Sequence, residues 1–149
     1  MYNTISVLTL TGLMLMVFPA VLLAQEDGNA FVRSIDTEKL EWGDCPEFMP
    51  ESCSIAVLQG NPAKPNADIF FKLKGNTNVP THWHHSPERM VLISGEMEVE
   101  YKGQDPKVME AGTYAYGPAE RPHKASCLSE APCVLFIAFE NPIDAYAVK

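Results

Sequence analysis

The sequence predicts an all-β domain, a sandwich or barrel of short strands behind an N-terminal leader. Two observations carry this expectation. From Ser54 onward, short apolar runs alternate with turn residues, and nothing longer than a strand intervenes. The segment E-M-E-V-E-Y then alternates strictly, with Met97, Val99 and Tyr101 on one face and Glu96, Glu98 and Glu100 on the other, the pattern of a half-buried strand with a solvated side. Many short strands at this spacing close into a barrel or a sandwich.

In chain order, residues 1–24 carry no charged side chain and end in small residues around Ala20 and Ala24, ahead of polar Gln25, Glu26 and Asp27. This stretch reads as a signal peptide. Its n-region lacks Lys and Arg, and its apolar run approaches the roughly 20 residues of a membrane span, so an uncleaved anchor is the alternative. Either way the rest of the chain is exported, to a secreted or periplasmic location. Residues 25–54 form an N-terminal arm, and residues 55–149 form one barrel domain.

Within that domain Ile55 to Leu58 is a small apolar run, G-N-P-A-K-P-N a turn-rich loop, and A-D-I-F-F-K-L-K a strand ending at Gly75. Met90 to Ile93 is a continuous apolar run followed by a Ser94-Gly95 turn. Lys107 to Glu110 and Thr113 to Tyr116 are short strands, and V-L-F-I-A-F is a buried one. Val91 and Ile93 are apolar on the face opposite Met90 and Leu92, so a second sheet, a terminal arm or another subunit covers them, which makes a homodimer one expectation.

The net charge of −8 lies entirely after the leader, with no Lys/Arg cluster. Nucleic acid and anionic membrane surfaces are therefore poor partners. Four cysteines sit in two close pairs, Cys45 with Cys53 and Cys127 with Cys133. An even count in an exported chain argues for disulfides, and of three possible connectivities local pairing is favoured, at ~2 kcal/mol for each short loop. A zinc site built from these cysteines would need a C-x-x-C spacing that is not there.

The chemistry concentrates between Gly75 and Gly95, in G-N-T-N-V-P-T-H-W-H-H-S-P-E-R-M-V-L-I-S-G. Side chains two apart on a strand share a face, so His82 and His84 form a two-nitrogen claw while Trp83 looks away. Glu88, after the Ser86-Pro87 turn, brings a carboxylate to the same point, and His123 is the natural fourth ligand. Imidazole and carboxylate together suit a borderline first-row cation better than calcium or magnesium. His85 points away on alternation, to the surface or behind the ligands.

These residues resemble the two motifs of the cupin superfamily. The first is His82-Trp83-His84, three residues, Glu88, six residues, Gly95; the second is Gly112, five residues, Pro118, four residues, His123. Two positions depart from the pattern. Glu120 stands where glycine is usual and unusual backbone angles are needed. Cys127 replaces the usual asparagine, which a disulfide would account for. A similarity to the cupin domains of zinc-binding anti-sigma regulators also holds, although the chain has no room between Gln25 and Cys45 for their ligand-bearing helical segment.

The resemblance implies a single jelly-roll barrel, or double-stranded β-helix, holding a divalent transition metal (Fe, Mn, Ni or Zn) through His82, His84, Glu88 and His123. It further implies an inward row of Met90 and Leu92 faced by Tyr114 or Tyr116, hence an apolar pocket with a phenol. The candidates for catalytic residues are Glu88, Tyr114 and Tyr116, with Glu110 and Glu120 as further acids or bases. Such a site leaves one or two coordination positions open. The expected function is a metal-dependent oxidoreductase, dioxygenase-like, acting on a small organic molecule. The alternative is a binding or sensing module without turnover, because fold alone does not fix chemistry.

Overall fold

A computed structural model describes residues 29–36 and 40–148. The leader expected at residues 1–24 lies outside them. The chain divides into a unit up to Phe31 and a second from Val32 onward, and every described strand lies in the second. Among the described residues there is no helix, and none therefore that is long and apolar enough to cross a membrane.

Eleven strands are present among these residues: β1 (Trp42–Asp44), β2 (Ser54–Gln59), β3 (Ala67–Leu73), β4 (Thr77–Trp83), β5 (Glu88–Ser94), β6 (Glu96–Tyr101), β7 (Lys107–Glu110), β8 (Tyr114–Gly117), β9 (His123–Cys127), β10 (Cys133–Phe139) and β11 (Tyr146–Ala147). They form a six-stranded sheet in the order β1-β2-β3-β10-β5-β8 and a five-stranded sheet in the order β11-β4-β9-β6-β7. Every pairing is antiparallel. Each sheet interleaves strands distant in sequence, the jelly-roll arrangement the cupin motifs imply.

The core lies between the sheets, where Ile69, Leu73, Met90, Leu92, Met97 and Ile137 are at most 4% exposed. β10 reads as a continuous apolar run because it is covered on both faces. Leu135 and Ile137 enter the inter-sheet core, while Val134 and Phe136 join Leu40, Ala56, Leu58 and Phe70 on the other face. Ile35 and Trp42, from the segment ahead of β2, pack onto that second cluster, so this arm covers the outer face of β2, β3 and β10. Farther along the same sheet Val91 is half-buried and Ile93 is 40% exposed.

Both disulfides pair locally, Cys45 with Cys53 and Cys127 with Cys133. The second ties the end of β9 to the start of β10, joining the two sheets. Cys127 thus occupies the position where the cupin pattern has asparagine and is 2% exposed. The unusual backbone at Glu120 is also retained: its φ is 59°, and its N–H donates to the His84 carbonyl at 2.7 Å. The turn survives without glycine, at a cost of about 1–2 kcal/mol for a left-handed non-glycine residue.

Candidate metal centre

β4 delivers the first candidate ligand, His82, by way of an irregularity. Val79 pairs with Ala125 of β9, the register shifts, and His82 pairs with His123. Pro80, which has no N–H to give a ladder, and Thr81 are both exposed, whereas Val79 and His82 are both buried. The extra residue inverts the inward parity of the strand. Without it His82 would face solvent. His84 follows just past the end of β4, still inward, and Trp83 between them is half-buried on the other side.

Two cross-strand rows then meet. On the five-stranded sheet, His82 of β4, His123 of β9 and Tyr101 of β6 are directly opposite one another. On the six-stranded sheet, Glu88 opens β5 and pairs with Phe139 on one side and Gly117 on the other. The imidazole centroids are 4.3 Å apart for His82 and His123, 4.9 Å for His82 and His84, and 5.3 Å for His84 and His123. One ring nitrogen from each lies within 4.8 Å of the others. The Glu88 oxygens stand 3.5 Å from His84 Nε2 and 3.5 Å from His123 Nε2. All four side chains are buried.

The protonation pattern follows from the partners. His82 Nδ1 faces the Pro80 carbonyl at 2.8 Å, His123 Nδ1 the Arg121 carbonyl at 3.0 Å, and His84 Nδ1 makes a short bond to the Asp144 carbonyl. A carbonyl only accepts, so each Nδ1 carries a proton and donates it. In its neutral form each ring then presents an Nε2 lone pair inward. Burial lowers the His82 pKa from 6.5 to about 3, with repulsion from His123 and His84 adding to the effect. Burial also lowers His123, opposed by Glu88. Near neutral pH these two rings are uncharged, so they offer Glu88 no cation.

This donor set fits a divalent cation. His84 Nε2 is buried and makes no hydrogen bond among the described residues, which ordinarily costs about 1–3 kcal/mol. Glu88 is a buried carboxylate, and no Lys or Arg is among the described residues that line the cavity around it. Buried charges are paired or coordinate metals. Three inward lone pairs and a carboxylate supply both kinds of donor that a first-row cation takes.

The cavity has a volume of about 150 Å³ and is lined mainly by apolar side chains such as Ile69, Val79, Met90, Met97, Leu135 and Ile137. Met49 and Cys45, from the loop closed by the first disulfide, form one part of its wall. Residues 143–145 form another. Met90 lines the cavity as expected. Leu92 points the same way but is wholly buried in the core and does not reach the cavity.

The tyrosines require a correction. Tyr114 and Tyr116 are 59% and 55% exposed and face outward, while Ala115 and Gly117 take the inward positions opposite Met90 and Glu88. The space they would fill is already occupied: a Cβ on Gly117 would run into the hydroxyl of Tyr101 and crowd Glu88. The phenol at the site is therefore Tyr101, 8% exposed, its ring 4.8 Å from that of His123. Burial, then the Glu88 charge, raises its pKa above the usual phenol range. Glu110 and Glu120 are exposed and do not enter the site.

A C-terminal strap follows β10 and packs beside His84 and His85. The Asp144 carboxylate is engaged by His85: it accepts from the His85 N–H at 2.9 Å and meets the His85 ring nitrogen at 2.6 Å. Its main-chain carbonyl is the one that holds His84. Tyr146 stacks on Trp83 at 4.7 Å and meets His85 edge-on. His85 thus sits outside, as alternation suggests, and anchors the strap. Asp144 stands alone in the tail N-P-I-D-A-Y-A-V-K, in no motif that marks this role.

A jelly roll with three histidines and a glutamate gathered at one wall of an interior cavity is a cupin barrel. Within that superfamily the ChrR cupin-like domain family matches residues 32–142, and the chain belongs to it. No curated protein matches by sequence. Among solved structures, the DMSP lyase DddQ from Ruegeria pomeroyi DSS-3 is 15% identical over 73% of this chain and 61% of its own, with a TM-score of 0.64. An oxalate decarboxylase mutant from Bacillus subtilis is 18% identical over 66% of this chain and 29% of its own, with a TM-score of 0.57. KdgF from Halomonas sp. is 17% identical over 68% of this chain and 88% of its own, with a TM-score of 0.56. The chain thus spans less than two thirds of the lyase and under a third of the decarboxylase. At these identities the likeness is one of fold.

Proposed function

We propose that this chain is an exported cupin that binds one divalent transition metal through His82, His84, Glu88 and His123 and acts as a metal-dependent oxidoreductase on a small organic molecule. The observation that carries the reading is the convergence of three inward-facing Nε2 lone pairs and a buried carboxylate on one wall of an apolar cavity. Structural neighbours include enzymes, and the Bacillus subtilis oxalate decarboxylase has Mn(II) centres, which supports a divalent cation here. Paired cysteines support an oxidising compartment. A bound cation of this kind would supply Lewis acidity or a one-electron couple at an open position. The protein's own part is to fix three ring tautomers through main-chain carbonyls, to exclude water with Met, Ile and Val side chains, and to keep the Tyr101 proton in place.

One observation favours the second reading, a binding or sensing module. Besides the four ligands, the titratable lining residues are Tyr101, whose proton is held tightly, and Asp144, whose carboxylate is engaged by His85. Acid–base chemistry would have few hands here. Metal analysis of wild type and His84→Ala, followed by turnover per bound metal on a panel of small acids and phenols, separates the cases. Full metal in His84→Ala would dismiss the ligand set, and metal with no turnover on any member would favour the module.

A further inference from the structure

Tyr101 is the second buried polar group left without a partner. Its hydroxyl, like His84 Nε2, makes no hydrogen bond among the described residues. The position is held open for it. Gly117, directly across from Glu88, could not carry a Cβ without striking the hydroxyl, and the same virtual carbon would lie 3.1 Å from Glu88 Oε2. The hydroxyl therefore lies next to the carboxylate of the metal site, and Tyr101 itself is part of the cavity wall. A buried O–H with no partner is normally satisfied by something the protein alone does not contain.

The charge at the site narrows what that something is. Three neutral imidazoles and one carboxylate around a divalent cation leave one unit of positive charge. No Lys or Arg among the described lining residues adds to it, and the other lining carboxylate, Asp144, is taken up by the His85 N–H and ring nitrogen. A monoanion neutralises the site, whereas a dianion would bring a buried charge without a partner. Beyond this polar wall the cavity is lined by Ile, Val, Leu, Met and Phe, and an apolar cavity of about 150 Å³ is one that takes up a benzene-sized body.

We infer that the site takes a monoanionic oxygen ligand with a compact apolar body, and that the Tyr101 hydroxyl binds the anionic oxygen of that ligand by donating a hydrogen bond to it. This rests on the proposed metal site. Tyr101 is in this view a ligand-binding residue and contributes nothing to holding the metal. The specificity it implies is for aryl or branched-alkyl carboxylates, phenolates and enolates over short dicarboxylates.

The test uses the full domain loaded with Co(II), whose visible absorption reports its coordination, titrated with benzoate and with succinate in wild type and Tyr101→Phe. Expected are saturable spectral changes with benzoate in wild type, at least tenfold weaker binding of succinate, and benzoate affinity lower by about tenfold in Tyr101→Phe. Co(II) affinity is expected to stay within about twofold, which also reports that the variant is folded. Equal benzoate affinity in the two proteins overturns the assignment of the hydroxyl, and so does loss of Co(II) from Tyr101→Phe, which would make Tyr101 part of the metal shell. Failure of benzoate to perturb the wild-type spectrum, or tighter binding of succinate, overturns the ligand class. A wild-type chain that takes up no Co(II) refutes the metal site itself and removes the basis of this inference with it.

Discussion

Ending the chain after Pro142 would test how the strap controls His84. The deletion removes the Asp144 carbonyl that accepts the His84 Nδ1 proton, together with the β11 pairing to Trp83 and His82 and the bond from Val148 N–H to the Thr81 carbonyl at 3.0 Å. His82 and His123 keep their own acceptors, Pro80 and Arg121, which lie within the remaining chain. One ligand of the proposed four therefore loses the group that fixes its tautomer and rotation. Loss of such an outer partner costs 10–100-fold in metal affinity, or about 1.4–2.8 kcal/mol. The strap pairs only at a sheet edge, and Ile143 is the one core-packing side chain the deletion removes, so the barrel should stay folded with some loss of stability. Competition against a chelator of known affinity reads the loss, with β-sheet circular dichroism as the control. Asp144→Ala keeps the main-chain carbonyl and removes only the tether to His85, so a much smaller effect, under about threefold, is expected. Undiminished affinity in the deletion would mean that packing alone, for example against the Phe139 ring at 5.9 Å, orients His84, and that its carbonyl acceptor is dispensable.

Three further outcomes are expected. The metal-free domain should lose stability in acid. The His82 pKa is about 3 in the fold against 6.5 unfolded, so between those values the unfolded chain binds a proton the fold refuses. Stability is then full above pH 6.5 and falls as pH drops, by about 2 kcal/mol at pH 5 from His82 alone, with His123 acting in the same direction. Urea midpoints that are flat from pH 7 to 5 would contradict this. Glu120→Gly should raise stability by roughly 0.5–1 kcal/mol, since relief of the left-handed conformation exceeds the added flexibility of the unfolded chain; a lower melting midpoint would refute it. Thiol titration of denatured, unreduced protein should find no reactive cysteine, whereas four thiols would dismiss both bridges.

Much of this site was legible in the sequence because ligand spacing and strand alternation are local patterns. The alternation of E-M-E-V-E-Y places Tyr101 inward beside Met97 and Val99, yet it does not show that this tyrosine ends opposite His123. That depends on register between β6 and β9, strands more than twenty residues apart in the sequence. The same limit explains Tyr114 and Tyr116. Alternation in Y-A-Y-G is as consistent with tyrosines inward as outward, and what decides it is the volume already taken by Tyr101. Alternation brings His82 and His84 together, but their inward direction depends on the bulge after Val79, of which Pro80 is the local sign. The role of Asp144 was beyond sequence reasoning altogether, since it joins positions 60 residues apart through a main-chain atom.

That the three ring acceptors, on Pro80, Arg121 and Asp144, are all peptide carbonyls bears on how the domain tolerates change. Every amino acid carries the same carbonyl, so exchanging the side chain at any of the three leaves the acceptor in place as long as the backbone path persists. Ligand geometry is in effect encoded in the trace of the chain and not in the identity of the supporting residues. The domain can therefore drift far in sequence around the four proposed ligand positions, and variants that disable it without touching those four should be those that reroute the backbone, such as insertions before His82 or the loss of its C-terminal segment.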